Sequence, residues 1–168
     1  MRRIEDVLIS TDAMVGFLGV SHGAFAHWVA AGLLKHRKPG HGRPAGFDFR
    51  DILSVFVVKH LIQIGFARAA AVKFAGHCDP GAAFMRSGAL VVPLRDGNLV
   101  EDDSDFDPAA ASDAASIVID LDAFGRHLAQ WLAHHLVAQS APAGGHAGPA
   151  AFEAAMRHFE DRLEKARR

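Results

Sequence analysis

The chain has 168 residues, of which 50% are apolar and 22% are charged. This composition is typical of a globular protein and excludes an intrinsically disordered chain. The one cysteine, Cys78, excludes an intramolecular disulfide framework and fits a reducing compartment. No apolar run reaches the roughly 18 residues of a membrane span, and acidic residues follow the N-terminal arginines where a signal peptide has its apolar run. We therefore expect a cytoplasmic protein with no membrane partner.

The formal net charge of −1 hides an uneven distribution along the chain. Residues 1–76 carry ten Lys or Arg against five Asp or Glu, whereas residues 77–149 carry three against ten. Residues 150–168 are nearly balanced, with five against four. A basic N-terminal part favours a nucleic-acid partner, and an acidic middle part favours a different partner, such as another protein.

Two short helices are predicted at the start of the basic part. Residues 10–12 (Ser-Thr-Asp) offer an N-cap, and the apolar run over residues 13–18 ends at Gly19. Ser21 is expected to cap a second helix over about residues 21–31. A helix, a tight turn and a second helix form the order that a chain uses to lay a helix in a DNA groove.

The second helix has an inner and an outer face. Phe25, Trp28 and Val29 recur at helical spacing and are expected to face the core. Four residues are then left on the outer face: His22, Gly23, Ala26 and His27.

A basic loop rich in glycine and proline follows over residues 35–46. Its glycines permit the turns of a hairpin tip, and its prolines limit the flexibility of the loop. Five of its side chains are candidate DNA contacts: Lys35, Arg37, Lys38, His41 and Arg43. Phe47 and Phe49 are predicted to return as a strand with alternate residues facing inward.

The pattern is helical again after this strand. Asp48 or Asp51 is predicted to start a helix through residues 52–61 that stops near Gly65, and a further short helix is predicted over residues 67–74. Arg50, at the start of the longer helix, is a further candidate phosphate contact.

In this order, the first 65 or so residues resemble the winged helix-turn-helix domain of MerR-type transcriptional regulators. The likeness rests on Val20-Ser21, the Trp-Val-Ala-Ala-Gly-Leu-Leu run at 28–34, the Arg/Gly/Pro wing, Phe-Arg-Asp-Ile-Leu at 49–53 and the run at 61–66. The resemblance implies a nucleoid-associated homodimer that binds double-stranded DNA. The second helix is then expected in the major groove, and the wing at 35–46 on the phosphate backbone.

The chain departs from the family pattern at residues 24–26, where Ala-Phe-Ala stands in place of the usual Thr-Leu-Arg. The arginine that commonly contacts DNA is therefore missing. Base reading then depends on His22, His27 or apolar contacts to thymine methyl groups, and Thr11 and Ser21 complete the predicted DNA contacts. The alternative function is a protein-interaction adaptor or an architectural protein that uses the same fold without sequence-specific readout.

Chemical sites are weakly indicated. Residues 19–23 match the G-x-S-x-G nucleophile elbow, but that elbow needs a buried strand before the serine and a large parallel sheet behind it. Ser21 is therefore interpreted as a helix cap, and no enzymatic activity is predicted. The chain has eleven histidines without metal-ligand spacing, and Pro108 occupies the glycine position of a calcium-type Asp103-x-Asp105-x-Asp107 run. Neither a metal nor a cofactor is predicted.

The middle of the chain is predicted to form a small antiparallel sheet. Residues 78–81 indicate a turn, 89–94 a strand, 95–98 a hairpin turn, 99–100 a short return strand and 116–120 a third strand. The acidic stretch between the last two strands is a candidate contact for the transcription machinery or another protein partner.

Two helices are predicted at the C-terminus, separated by a Gly/Ala/Pro linker at 140–149. The first is capped by Asp120 or Asp122 and carries one face of Phe124, Leu128, Trp131, His135 and Leu136. The second carries a seam with spacings of four and three: Phe152, Met156, Phe159, Leu163 and Ala166. Such a seam packs on another helix. An intersubunit contact is favoured, and an intramolecular helical hairpin is the alternative.

The predicted fold class is mainly α (α+β). Residues 1–76 are expected to form the winged helix-turn-helix domain, residues 77–120 an acidic linker with a small β segment, and residues 121–168 a helical region for association.

Overall fold

The computed structural model describes residues 3–34, 46–95, 97–99, 115–140 and 149–168. A 3₁₀ turn over Ile4–Asp6 precedes all other elements. The helices are α1 (Thr11–Leu18), α2 (His22–Ala30), α3 (Phe49–Gln63), α4 (Arg68–His77), α5 (Pro80–Ser87), α6 (Asp122–Ser140) and α7 (Pro149–Arg167). The strands are β1 (Ala89–Arg95), β2 (Asn98–Leu99) and β3 (Ala115–Asp120). The α+β prediction is confirmed.

Helix α3 is the central element of the core. It begins with a capping box, in which the Asp48 carboxylate accepts the N–H of Asp51 at 3.2 Å and the Asp51 carboxylate accepts the N–H of Asp48 at 2.9 Å. Because this cap starts the helix at Phe49, the predicted strand through Phe47 and Phe49 is wrong at Phe49. Phe47 instead forms an isolated antiparallel bridge with Ile9. Seven α3 residues are essentially inaccessible to solvent: Phe49, Ile52, Leu53, Val55, Val57, Val58 and Leu61.

The sheet has the strand order β2-β1-β3, with both pairs antiparallel. The predicted strands at 89–94 and 116–120 are confirmed, and Arg95 pairs with Asn98 beside the predicted hairpin turn. Leu90, Val92 and Ile119 face the core, as the alternation of a half-buried sheet requires. The acidic stretch before β3 lies outside the described residues.

Helix α5 was not predicted, and the expected turn at 78–81 is its beginning. The Asp79 carboxylate accepts the N–H of Ala82 at 2.9 Å, and Pro80 occupies the first helical position. An aspartate followed by proline is an N-terminal helix signal. The helix is short because Gly88, at a φ of 71°, ends it after eight residues. It places the fully buried Phe84 against α3 and α7.

The C-terminal helices pack onto this core within the same chain. The α7 seam residues Phe159 and Leu163 are buried, and the Phe159 ring lies 5.9 Å from Phe49 and 6.1 Å from Phe84. The α7 seam is therefore used inside the chain, as in the intramolecular alternative. On α6 the buried face is rotated from the predicted one. It runs through Leu128, Ala129, Leu132, Ala133 and Leu136, with Phe124, Trp131 and His135 at its edge. One continuous hydrophobic core joins residues from all three predicted segments.

A network of charged side chains ties α6 to α7. Arg126 donates to Asp122 at 3.0 Å and to Glu160 at 2.6 Å, and Arg167 donates to Asp122 at 2.6 Å and to the Phe84 carbonyl at 3.0 Å. Partial burial raises the pKa of Asp122, but the hydrogen bonds from Arg167 and Arg126 outweigh it and hold this pKa below its ordinary value.

The described helices are short or polar relative to a bilayer span. None of them alone is both long and apolar enough to cross a bilayer, and α1 and α2 meet the length and composition criteria only when the bent pair is counted together.

The depressed pKa of Asp122 makes a pH-dependent contribution to stability. A carboxyl group with a lowered folded-state pKa stabilises the protein above its unfolded pKa, and this contribution is lost as the pH falls through the folded pKa. We expect the wild type to exceed Asp122→Asn in free energy of unfolding at pH 7. The gap should narrow as the pH falls below about 4. Urea unfolding at a series of pH values measures the gap, and a gap independent of pH would contradict the network.

Gly125 is required by the close packing of α6 on α5. A Cβ atom there would lie 2.3 Å from the ring of the fully buried Phe84. We expect Gly125→Ala to lower the free energy of unfolding by about 1–3 kcal/mol, the usual cost of overpacking. Gly16→Ala in α1 is the matched control, because no atom lies within 4 Å of its added Cβ. Helix propensity predicts a gain of about 0.5–1 kcal/mol for the control. Equal effects in the two variants would contradict the packing argument.

Candidate nucleic-acid interface

Helices α1 and α2 form a compact unit with a defined bend. The Ser10 hydroxyl accepts the N–H of Ala13 at 3.2 Å and starts α1, and Gly19 ends α1 in the left-handed conformation at a φ of 62°. The Ser21 hydroxyl then accepts the N–H of Ala24 at 3.1 Å and starts α2. The two helices bend by 109° at this break. That value falls within the range of about 90–120° found in helix-turn-helix units.

The unit is held against the rest of the molecule by both apolar and polar contacts. Met14 and Leu18 of α1 and Phe25 and Trp28 of α2 are buried in the core. From α3, the Lys59 ammonium donates to the Leu18 carbonyl at 2.7 Å. This contact satisfies an end carbonyl of α1 and complements the negative end of its dipole. The core-facing sides of both helices are therefore held in place by these contacts.

The outer face of α2 agrees with the sequence prediction, apart from one residue. Each of His22, Gly23, Ala26 and His27 is exposed. Val29 was expected to face the core, but it is 37% exposed. The reason is geometric, since Val29 lies about 70° around the helix from the middle of the Phe25–Trp28 face at 100° per residue.

An imidazole and a carboxylate meet where the outer face of α2 begins. His22 Nε2 lies 3.7 Å from the carboxylate of Asp12 in the first turn of α1, and both side chains are well exposed. Thr11, the residue before Asp12, is half-buried at the first position of α1. The described part of α2 therefore contributes histidines and small side chains to this surface, with a carboxylate beside His22.

The basic loop lies almost entirely outside the described residues, and with it the predicted contacts Lys35, Arg37, Lys38, His41 and Arg43. The point where the chain rejoins the fold is described. Ile9 and Phe47 exchange two backbone hydrogen bonds of 3.0 and 2.9 Å. The Phe47 ring packs edge-on against Phe25 at 5.2 Å. A Cβ at Gly46 would approach Leu8 Cβ to 2.8 Å, so only glycine fits there. The chain therefore re-enters the described part of the fold next to Phe25 of α2.

Arg50, in the first turn of α3, has an intramolecular partner. Its guanidinium is 3.7 Å from the carboxylate of Asp79, the N-cap of α5. Its aliphatic part covers Gly81, where an added Cβ would come within 2.6 Å of Arg50 Cγ. The ion pair is exposed, and such surface pairs contribute at most about 1 kcal/mol. A phosphate can therefore compete with Asp79 for Arg50.

Other chemistry at this surface has little support. Ser21 follows a helix, whereas a nucleophile elbow requires a strand before the serine. Within the described ranges, no three of the His, Cys, Asp and Glu side chains are grouped so that they could hold a metal ion.

Sequence reasoning missed an aromatic contact that joins α1 to α6. The Phe17 ring stacks on Trp131 at 4.5 Å and lies 5.9 Å from Phe124, which in turn stacks on Phe56 of α3 at 3.8 Å. Each ring belongs to an apolar helical pattern, but pairing across more than a hundred residues leaves no signal in a single sequence. Through this contact, α1 packs against the C-terminal half of the chain.

Comparisons with protein-family models, with curated proteins and with solved structures gave no significant match.

The cap of α2 is testable by substitution. We expect Ser21→Ala to lower the free energy of unfolding by about 1 kcal/mol, because an N–H at the start of α2 loses its acceptor. Ser21→Asp should keep wild-type stability, since aspartate caps equally well. Ser54→Ala is the control, because the Ser54 hydroxyl only donates to the Arg50 carbonyl within α3. Chemical denaturation measures all three variants. A Ser21→Ala variant as stable as the wild type would contradict the cap.

Proposed function

We propose that this protein is a DNA-binding transcriptional regulator with a winged helix-turn-helix. In this proposal, α2 enters the major groove, and the basic segment 35–46 contacts the phosphate backbone beside it. The protein acts as a dimer, because two symmetric reading units gain affinity and define half-site spacing.

The observation that carries the proposal is the geometry of α1 and α2. Their 109° bend, the three-residue break from Gly19 to Ser21 and the exposed outer face of α2 are the features that a helix needs to enter a groove. The contact of the Phe47 ring with Phe25 supports it further, because Phe47 directly follows the basic segment and lies next to the same helix.

Base reading by α2 depends on few side chains. At position 26 the MerR-type pattern has an arginine, whose side chain could hydrogen-bond to a guanine, whereas this chain has alanine. Hydrogen bonds to bases would therefore come from His22 and His27. Thr11 and Ser21 lie at the helix starts, where side chains contact phosphates. Most of the affinity in this proposal therefore comes from the cations of the basic segment and from Arg50.

The wing contribution is tested by removing its charge. The triple variant Arg37→Ala/Lys38→Ala/Arg43→Ala is compared with Arg157→Ala/Lys165→Ala/Arg168→Ala. This control, called the α7 variant, removes the same charge from two exposed positions of α7 and from the exposed residue that follows it. Binding to genomic DNA fragments is measured over a range of salt concentrations. We expect the wing variant to lose affinity and to reduce the slope of log K against log salt by about 2–3, at roughly 0.9 per lost phosphate contact.

The same binding experiment distinguishes a sequence-specific regulator from an architectural protein and from a protein-interaction adaptor. A few enriched fragments that are lost in the wing variant support a sequence-specific regulator. Uniform, salt-sensitive recovery supports an architectural protein that binds the backbone only. If neither the wild type nor the α7 variant recovers DNA, the regulator proposal is wrong, and the protein-interaction adaptor takes its place.

Substitution of Asp12 gives a second test, in which DNA affinity is expected to rise instead of fall. Its carboxylate lies beside His22 at the start of the proposed recognition helix, where it repels phosphate. We expect Asp12→Asn to raise DNA affinity about 2–5-fold at low salt, in line with the energy of one exposed charge near a helix end. Asp161→Asn on the exposed surface of α7 is the control. Unchanged or weaker binding by Asp12→Asn would argue against α2 as the DNA-facing helix.

A further inference from the structure

Strand β3 is an outer strand of the sheet. In the order β2-β1-β3, the described part of the chain provides a neighbour on one side of β3 only. Every second residue of β3 (Ser116, Val118 and Asp120) is exposed. Val118 and its cross-strand partner Val91 are the most exposed large apolar residues described, at 63% and 59%. An apolar strip therefore reaches the open edge of the sheet on its outer face.

The unused backbone groups of β3 can be assigned from its pairing with β1. Pro93 has no N–H, so its pair with Ser116 must be of the non-hydrogen-bonded type. The two types alternate along an antiparallel ladder, so Val118 and Asp120 belong to the same class. The N–H and C=O groups of Ser116, Val118 and Asp120 therefore point away from β1, toward the open edge.

The described residues at this edge carry none of the sequence features that usually prevent pairing with another chain. Natural edge strands carry lysine, proline, a bulge or an inward-pointing charge. Strand β3 has the sequence Ala-Ser-Ile-Val-Ile-Asp and a continuous six-residue register with β1. Its one charge, Asp120, lies at its last position. An unprotected regular edge with β-branched residues at its centre favours strand addition.

We propose that the occupant of this edge is a second copy of the chain, paired antiparallel through β3 about a two-fold axis at Val118. The hydrogen-bonding groups then coincide, because Val118 meets the partner's Val118 and Ser116 meets the partner's Asp120. These three pairs supply about six backbone hydrogen bonds. The two three-stranded sheets become one continuous six-stranded sheet.

The side chains favour the same register. Val91 and Val118 of each copy form one apolar strip across the axis on the outer face. The Ser116 hydroxyl is placed to donate to the partner's Asp120, whose Oδ1 already accepts the N–H of Asp122 at 2.8 Å in its own chain. Moving the axis by one residue toward α6 would instead set the carboxylate of Asp120 against the partner's Val118. Self-complementarity of this kind is what an isologous interface requires.

The proposal is independent of DNA binding, and its test contains no DNA. Sedimentation velocity of the full chain is measured up to about 1 mM, where even a weak complex is half formed. The variants Val118→Lys and Val118→Glu each place like charges face to face across the axis. We expect the wild type to be a dimer, each variant alone a monomer, and an equimolar mixture of the two a heterodimer. Ile64→Lys is the control, since Ile64 is a 46% exposed apolar residue at the C-cap of α3 and belongs to no strand.

Rescue in the mixture shows that both variants are folded, and a thermal melt of each variant checks this separately. A wild type that stays monomeric over the whole range overturns the proposal. A dimer that persists in both variants also overturns the proposal, because the interface must then lie on another surface, such as the C-terminal helices.

Amide hydrogen exchange gives a second readout with a residue-level signature. The N–H groups of Ile117 and Ile119 point to β1 and are expected to be protected at every concentration. Those of Ser116, Val118 and Asp120 should gain protection only as the concentration rises. Protection of all five at low concentration, or of none of the three at high concentration, contradicts pairing at this edge.

Discussion

Burial of α3 is the constraint on which the other elements depend. Its start is set by the Asp48–Asp51 capping box, and its sides are covered by residues from both halves of the chain. Phe49 contacts Phe84 of α5 and Phe159 of α7, so the first turn of α3 draws two distant helices together. Lys59 on the same helix reaches the last carbonyl of α1. The position of the α1–α2 unit is therefore set by the helix that fills the centre of the core. An error in the start of α3 would displace both this unit and the C-terminal helices.

Local signals in the sequence were sufficient wherever one residue or one turn decides the structure. Ser10, Gly19 and Ser21 were predicted to delimit α1 and α2 and do so, because a cap acts through its own side chain and its nearest backbone groups. The strands at 89–94 and 116–120 follow from β-branched runs bounded by turn residues. The outer face of α2 was also predicted, since its polar and small residues repeat at helical spacing.

Predictions failed where contacts between distant residues decide the structure. The α7 seam has the pattern of a helix that packs on another helix, and the pattern does not say whether that helix belongs to the same chain. In the structure, Phe159 and Leu163 are buried against residues of the same chain. The rotation of the α6 face has the same origin, because Gly125 must lie against Phe84, a contact that fixes which side faces inward. Helix α5 was missed because Asp79, Pro80 and Gly81 are turn residues as well as a helix start, and in the sequence alone they favour a turn.

The stacking of Phe17 on Trp131 gives the molecule a built-in optical reporter. The chain has two tryptophans. Trp28 is on the core-facing side of α2, and its indole N–H has no acceptor among the described residues. Trp131 lies half-buried on α6, with Phe17 at 4.5 Å on one side and His135 at 4.3 Å on the other. The two indoles therefore have different surroundings and belong to different halves of the chain. The emission of Trp131 reports the attachment of α1 to α6, and the emission of Trp28 reports the packing of α2 on the core. Intrinsic fluorescence therefore distinguishes detachment of the α1–α2 unit from loss of the packing around Trp28.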